Sequence, residues 1–340
     1  MKQKHILPPD QTPINLVLVT LDTHLSGVLM RAEKSLRRHL PNLSLKTHAA
    51  ANWNSNPDSL EECKEDIATG DIIVVTMLFM EDHINAVLPS LAARKEQCDA
   101  MVCCMSASEV MQLTRMGRFR MDAEQTGAMG LLKRLRGKSQ NSNKGAGAQQ
   151  LSVLKKLPSI LRFIPGTAQD VRAYFLTLQY WLAGSEDNLK ELFLFLVDRY
   201  AEDERGSLKG LFKVKPPVEY PEVGVYHPNI KSRVSEVVDD LPAIKASAGD
   251  KGTVGLLVMR SYVLAGNSAH YDAVIKEFED RGIRVVTAFA SGLDARPAVQ
   301  RYFLHDGKSK VDAVLSLTGF SLIGGPAYND SAAAEDLLAE

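Results

Sequence analysis

The chain is poor in every feature that would settle its chemistry at a glance. It has four cysteines in 340 residues, Cys63, Cys98, Cys103 and Cys104, and none forms a C-x-x-C pair. Cys103 and Cys104 are neighbours in an apolar run, and adjacent strand positions face opposite ways, so they make a poor chelate. They read as small buried hydrophobes in a reducing compartment. Charge of one sign is missing too: 40 basic against 41 acidic side chains give a formal net charge of −1. Without a basic excess a nucleic-acid partner is not expected. No apolar run reaches the roughly 18 residues of a membrane span. The opening MKQKHILPPDQTP lacks the apolar core of a signal peptide, so a cytoplasmic chain is expected. There is no G-x-x-x-x-G-K-[ST] motif and no G-x-G-x-x-G, which argues against a P-loop or dinucleotide site within the chain.

What is present is apolar patterning. At 45% hydrophobic content and 340 residues, two cores are the natural expectation. INLVLVTLD (14–22), DIIVVTMLF (71–79) and CDAMVCCMS (98–106) read as buried strands. Helical spacing follows over 24–40, 58–69, 81–96 and 107–116, with Asp58 or Ser59 as the start of the second helix. Strand and helix alternate, as in a parallel sheet covered by helices. Helix capping is the expected role of Asp22 or Thr23 after the first strand, since Asp22 and His24 alone are too few for a metal. Met105, Met111, Met116 and Met121 read mainly as core filling.

Residues 133–150 (KRLRGKSQNSNKGAGAQQ) read as a basic, polar surface loop or linker whose Lys133, Arg134, Arg136 and Lys138 are read as a solvated charge run, against contact with an acidic partner. Residues 151–202 are helical in pattern. Gly184 is placed to end one helix and Ser185 to cap the next, with Asn188 at its third position. LKELFLFLV is apolar nearly all round, which predicts a helix buried between layers. A second strand–helix set follows, with strands over 253–260, 283–290 and 311–319 and helices over 267–281 and 294–304. The expected fold is α/β, two Rossmann-like parallel-sheet domains joined by a helical segment. The divisions are 1–132, a loop at 133–150, a helical segment at 151–202 that completes or bridges the first domain, and 203–340. The chain ends inside an amphipathic segment, SAAAEDLLAE, without a stop signal, which suggests a longer parent protein.

Three blocks then carry a resemblance: FIPGTAQDVRAYFLTLQYWLAGSEDNL (163–189), VGLLVMRSYVLAGNSAHYDAVIKEFEDRGIRVVTAFASGLDARPAV (254–299) and VDAVLSLTGFSLIGGPAYND (311–330). With CMSASEVMQLTRMGRFRM (104–121), they resemble the large, porphyrin-binding subunit family of magnesium chelatase. A more distant resemblance is to the large subunit of aerobic cobaltochelatase, with a corrinoid precursor as substrate. The resemblance implies ATP-dependent insertion of Mg²⁺ into protoporphyrin IX, in chlorophyll or bacteriochlorophyll biosynthesis. It implies that ATP is hydrolysed by two AAA+-type partner subunits, and a cytoplasmic or plastid-stromal location. It also implies that the metal-insertion residues lie mostly beyond residue 340, which leaves the catalytic set of this stretch unassigned and autonomous catalysis doubtful. A non-catalytic docking or gating module of the same complex is the alternative. A two-lobed periplasmic sugar-binding protein is a weaker one, given the missing signal peptide.

From the residues themselves, the candidates for porphyrin contact follow predicted strands, where open α/β sheets bind ligands. Arg260 is the candidate propionate contact, against an ordinary ion pair. Tyr262 is a candidate stacking surface, as is Tyr271, against plain packing. Asn267 is read as a ligand contact or a helix cap, and His270 as a base or a structural histidine. Gly324 and Gly325 sit in a loop whose backbone lets a ligand approach, or in a plain tight turn. Asp294 and Arg296 follow another strand at the same sheet edge and are read either as part of the ligand-facing loops or as a pair with each other. No resident metal site is expected.

Overall fold

In the computed structural model, residues 8–21, 23–121, 157–243, 251–325 and 328–339 are described. The chain forms two compact units that divide between Val218 and Glu219.

The first unit is built on four parallel strands: β1 (Ile14–Thr20), β2 (Leu43–Ala49), β3 (Ile72–Thr76) and β4 (Ala100–Cys104). Their order is β2-β1-β3-β4, extended by a small antiparallel ribbon, β5 (Arg115–Met116) and β6 (Phe119–Arg120). β3 and β4 are buried at every position because helices cover both faces. On one face Val17, Val19, Ile73, Val75, Met101 and Cys103 form a core. Val87 and Leu91 of α3 (Glu81–Arg94) and Ile67 of α2 (Pro57–Thr69) close it. The alternate residues Leu16, Leu18, Ile72, Val74 and Val102 are equally buried and point the other way.

That second face is met by α1 (Ser26–Leu36) and, from far along the chain, by α6 (Glu186–Tyr200), which packs on α1 and β3. The preceding helix, α5 (Thr167–Ala183), packs on α6 and β6. Gly184 ends α5 in the left-handed region at φ 59°, and the Ser185 hydroxyl accepts the Asn188 backbone N–H at 3.3 Å. Both punctuation marks were legible in the sequence. The α6 run is buried on most sides, as its composition requires.

The expected helix over 107–116 is only Ser108–Met111, α4. The chain then turns at Gly117, φ 56°, so that Met116 pairs with Phe119 in the β5–β6 hairpin. The expected cap of α1 is also different. Leu25 precedes the helix without a side-chain cap bond, and Asp22 lies outside the described residues. For α2 the cap position is Asn56, with Pro57 first in the helix, where its missing N–H costs nothing. Met116 is core, while Met105, Met111 and Met121 are half-buried. The basic loop 133–150 lies outside the described residues.

The second unit holds a five-stranded sheet. Its parallel members are β9 (Thr253–Leu257), β10 (Arg284–Ala290) and β13 (Ala313–Ser316), with β9 in the middle. The ribbon β7 (Val223–Tyr226) and β8 (Val234–Ser235) adds antiparallel to β10. The helices are α7 (Arg260–Leu264), α8 (Ala269–Asp280), α9 (Arg296–Tyr302) and α10 (Ser331–Leu338). Two short ribbons complete it, β11 (Leu304–His305) with β12 (Lys308–Ser309), and β14 (Gly324–Gly325) with β15 (Tyr328–Asn329). Gly255 in β9 carries no side chain because the Phe303 ring fills that space: a Cβ there would lie 2.8 Å from it.

The expected strand over 311–319 is shorter, and all four of its residues are exposed. β13 is an edge of the sheet and, among the described residues, pairs with β9 alone. The expected helix at 267–281 is preceded by α7 and starts from Ser268, so the cap position belongs to Ser268 and not to Asn267. The Ser268 hydroxyl is otherwise engaged. It takes a hydrogen bond from Tyr226 at 2.8 Å and one from Arg233 at 3.1 Å. Arg233 also reaches Asp272 at 3.0 Å, so a polar knot fastens the β7–β8 ribbon to α8.

Candidate functional site

In the second unit, the sheet order β13-β9-β10 makes β9 the strand from which the chain winds both ways. α8 carries it from β9 to β10, and α9 carries it back past β9 to β13. The carboxyl end of β9 is therefore the switch point where such sheets form a crevice. The candidates Arg260, Tyr262, Asn267 and His270 all follow this end.

Arg260 opens α7, but its guanidinium faces inward. Nε donates to the Pro221 carbonyl at 2.8 Å and one terminal nitrogen to the Tyr220 carbonyl at 3.1 Å. Burial lowers its pKa from the usual arginine value, with Glu222 opposing that shift. In this state Arg260 is a clamp on the segment leading into β7.

Tyr262, His270 and Tyr271 form an aromatic cluster. Ring centroids lie 5.8 Å apart for Tyr262 and His270, 6.3 Å for Tyr262 and Tyr271, and 3.9 Å for His270 and Tyr271. Tyr271 is buried, and its hydroxyl accepts the Met259 backbone N–H at 3.3 Å, where it holds the turn out of β9. Tyr262 is half-buried, and His270 is exposed. The exposed Asn267 joins them through its backbone N–H, which donates to the Tyr262 carbonyl at 2.9 Å. Together, two rings and an amide after the carboxyl end of β9 present an aromatic surface with polar groups beside it.

Gly324 and Gly325 are positioned differently. They pair with Asn329 and Tyr328 in the β14–β15 ribbon. The Gly324 N–H donates to the Leu293 carbonyl at 2.8 Å, and the Ala295 N–H to the Leu322 carbonyl at 3.0 Å. The stretch after β13 thus reaches the loop after β10 and must cross the carboxyl end of β9, which lies between them. The Asp294–Arg296 pair is present, with Nε donating to both carboxylate oxygens at 3.0 Å. Burial raises the Asp294 pKa, but the hydrogen bonds from Arg296 outweigh it and hold the carboxyl below the ordinary value. The structure therefore gathers Tyr262, Asn267 and His270 at one rim, turns Arg260 inward, and places Gly324 and Gly325 in a separate strap.

Sequence reasoning passed over several groups. Arg205 binds Asp99 and Asp71 beneath the first sheet, and Asp170 accepts hydrogen bonds from the Arg118 backbone, Arg199 and Tyr200. A cleft of about 250 Å³ flanks β2 and contains a His48–Asp66 hydrogen bond of 2.9 Å. These partners are tens of residues apart, and no local motif links them. Among the described residues no group of three or more His, Cys, Asp or Glu side chains could hold a metal ion, and no helix is long and apolar enough to cross a membrane. All four cysteines are buried free thiols, and burial pushes the Cys98 thiol up to about 11 and those of Cys63 and Cys104 up to about 12.

Comparison with known proteins gives these features a class. Residues 178–340 match the CobN/Magnesium Chelatase family, and residues 15–175 match a domain of unknown function, DUF3479. The magnesium-chelatase H subunit of Cereibacter sphaeroides is 46% identical over 331 residues, 97% of this chain and 27% of that relative. The chloroplastic magnesium-chelatase protein ChlH of Oryza sativa subsp. indica is 33% identical over 280 residues, 78% of this chain and 20% of that relative. A solved structure, the catalytic subunit of cobaltochelatase from Mycobacterium tuberculosis, aligns at TM-score 0.41 and 18% identity over 89% of this chain and 18% of that one. The second unit lies within the stretch that matches the CobN/Magnesium Chelatase family. The chain belongs to the magnesium-chelatase large-subunit family, and it spans about a quarter of the length of the curated relatives it matches, 27% of the first two.

Proposed function

We propose that this chain is the part of a magnesium-chelatase large subunit that helps to bind protoporphyrin IX for Mg²⁺ insertion. The observation that carries the reading is the 46% identity to a magnesium-chelatase large subunit across 97% of the chain. Insertion exchanges two pyrrole protons for one Mg²⁺. It requires a flat apolar wall for the macrocycle, hydrogen-bond donors for its two propionates, a base for the protons and oxygen ligands for the metal. Tyr262 and His270 supply the wall, and the Asn267 amide with the His270 imidazole serve the propionates. Arg260 acts indirectly, by fixing the lead-in to β7. The 319–325 stretch closes over the end of β9. The base and the Mg²⁺ ligands are assigned to the part of the family's length that lies outside this chain. ATP is hydrolysed by two AAA+-type partner subunits, in line with the absence of a P-loop here, and the setting is the cytoplasm or plastid stroma. By sequence the chain divides at 132, 150 and 202, and 203–340 is the start of the metallochelatase part.

The test is a titration of the 340-residue chain with a water-soluble protoporphyrin analogue, followed by the porphyrin absorption band. Saturable binding should weaken about fivefold or more in His270→Ala and in Asn267→Ala, both of which alter exposed side chains. Saturable binding that ignores both variants would remove these residues from the site. Absence of binding would favour a docking or gating module of the same complex.

A further inference from the structure

The cleft beside β2 lies in the first unit and takes no part in the proposed porphyrin site. β2 is the edge of its sheet. It pairs with β1 on one side, and no strand covers the other side among the described residues. Such an edge presents backbone N–H and C=O groups to any extended chain that can lie along it. Here the edge has a wall opposite it. The cleft is lined by the strand itself from Leu45 to Ala49, by Trp53, and by Ser59, Glu62 and Asp66 of α2. The spacing of those three helix residues puts them on one face, so the opening is a groove between an edge strand and a helix. Peptides that bind by strand addition use this arrangement.

The charge of the wall selects the occupant. α2 carries Asp58, Glu61, Glu62, Glu65 and Asp66 against Lys64 alone. Glu61 is taken by Lys64 at 2.8 Å and Asp66 by His48 at 2.9 Å, while Glu62 is exposed and has no cation partner among the described residues. Trp53, which lines the groove, is 4% exposed, and its indole Nε1 has no hydrogen-bond partner among the described residues. Lys46 is exposed on the strand and guards the edge against indiscriminate pairing, but the helix opposite outweighs it in charge. Two copies joined through this edge would bring two acidic α2 helices together, which disfavours a second copy as the occupant.

We propose that the groove between β2 and α2 binds an extended, basic polypeptide segment, which adds as a strand to β2 and directs a lysine or arginine side chain toward Glu62. The probe is a fluorescein-labelled octapeptide of alternating lysine and valine, titrated into the whole chain by fluorescence anisotropy. Its counterpart has glutamate for every lysine. Saturable binding of the lysine peptide alone is expected. Glu62→Lys should weaken it about fivefold or more while leaving the tryptophan fluorescence of the fold unchanged. The bound peptide should slow hydrogen exchange at backbone amides within Leu43–Ala49. Equal binding of both peptides, binding without protection of β2, or no saturable binding would each overturn the proposal. So would sedimentation showing a dimer that the peptide fails to dissociate.

Discussion

Arg205 closes on Asp99 with two parallel hydrogen bonds, Nε to one carboxylate oxygen at 2.8 Å and a terminal nitrogen to the other at 2.7 Å, across 106 positions of sequence. Its third nitrogen lies 3.3 Å from Asp71, which also accepts the Asn15 N–H at 2.8 Å. The group ties the amino ends of β1, β3 and β4 to the chain that leaves α6. The hydrogen bonds that Arg205 donates to Asp99 raise its pKa further above its already high value, against burial. Burial raises that of Asp71.

Removing the arginine leaves two nearly buried carboxylates without their cation. Arg205→Ala is expected to cost the first unit about 3 kcal/mol, and Arg205→Lys about half of that, because lysine cannot form the fork. Both tryptophans, Trp53 and Trp181, belong to the first unit, so urea unfolding followed by tryptophan fluorescence isolates it. An unchanged midpoint for Arg205→Ala would show that the clamp adds nothing.

The junction between α5 and α6 gives a second expectation. Ser185→Ala removes the acceptor for the Asn188 N–H and should cost about 1 kcal/mol by the same fluorescence assay. Gly184→Ala forces a side chain into φ 59° and should cost about as much again. Additive losses would mark the two as independent stop and start signals.

His48 sets a pH dependence. Its pKa is lowered from 6.5 chiefly by burial, against the hydrogen bond and charge of Asp66 and the charge of Glu62, with Lys46 assisting. The unfolded chain therefore takes up the proton first, and stability rises with pH across the window between the folded value and 6.5. As pH falls below 6.5 the first unit should lose stability, and the loss should level off below the folded value. His48→Gln should remove that part of the slope. A wild-type slope retained in full by the variant would exclude His48 as its source.

Arg260 is expected to act on structure before ligand. Arg260→Ala frees the Tyr220 and Pro221 carbonyls and should destabilise the second unit by about 2 kcal/mol. Hydrogen exchange should rise around Val223–Tyr226. A variant that lost porphyrin binding with no change in exchange would instead make Arg260 a direct contact.

The four thiols should be silent in the folded chain. With burial raising every thiol pKa, Ellman's reagent should find no fast-reacting cysteine at neutral pH and four after denaturation.

Local pattern alone determined much of this protein. The apolar runs at 14–20, 72–76 and 100–104 are strands because short runs rich in β-branched residues suit a sheet covered on both faces, which buries every position of the last two and all but Asn15 of the first. Gly184 and Ser185 mark a helix end and a helix start because left-handed backbone and N-caps have specific chemical requirements. The family, too, was legible in long ordered blocks. Tertiary structure decided the rest, because it depends on which distant segments meet. The run at 313–316 has the composition of a core strand but lies exposed at a sheet edge, since pairing order is not written in one strand. Arg260 looked available for a ligand, yet the carbonyls of Tyr220 and Pro221, some 40 residues earlier, turn it inward. Tyr262, Asn267 and His270 share a rim because β9, α7 and α8 fold them there. Arg205 and Asp99 find each other only once the sheet has formed, since a charge pair 106 residues apart leaves no periodicity to read.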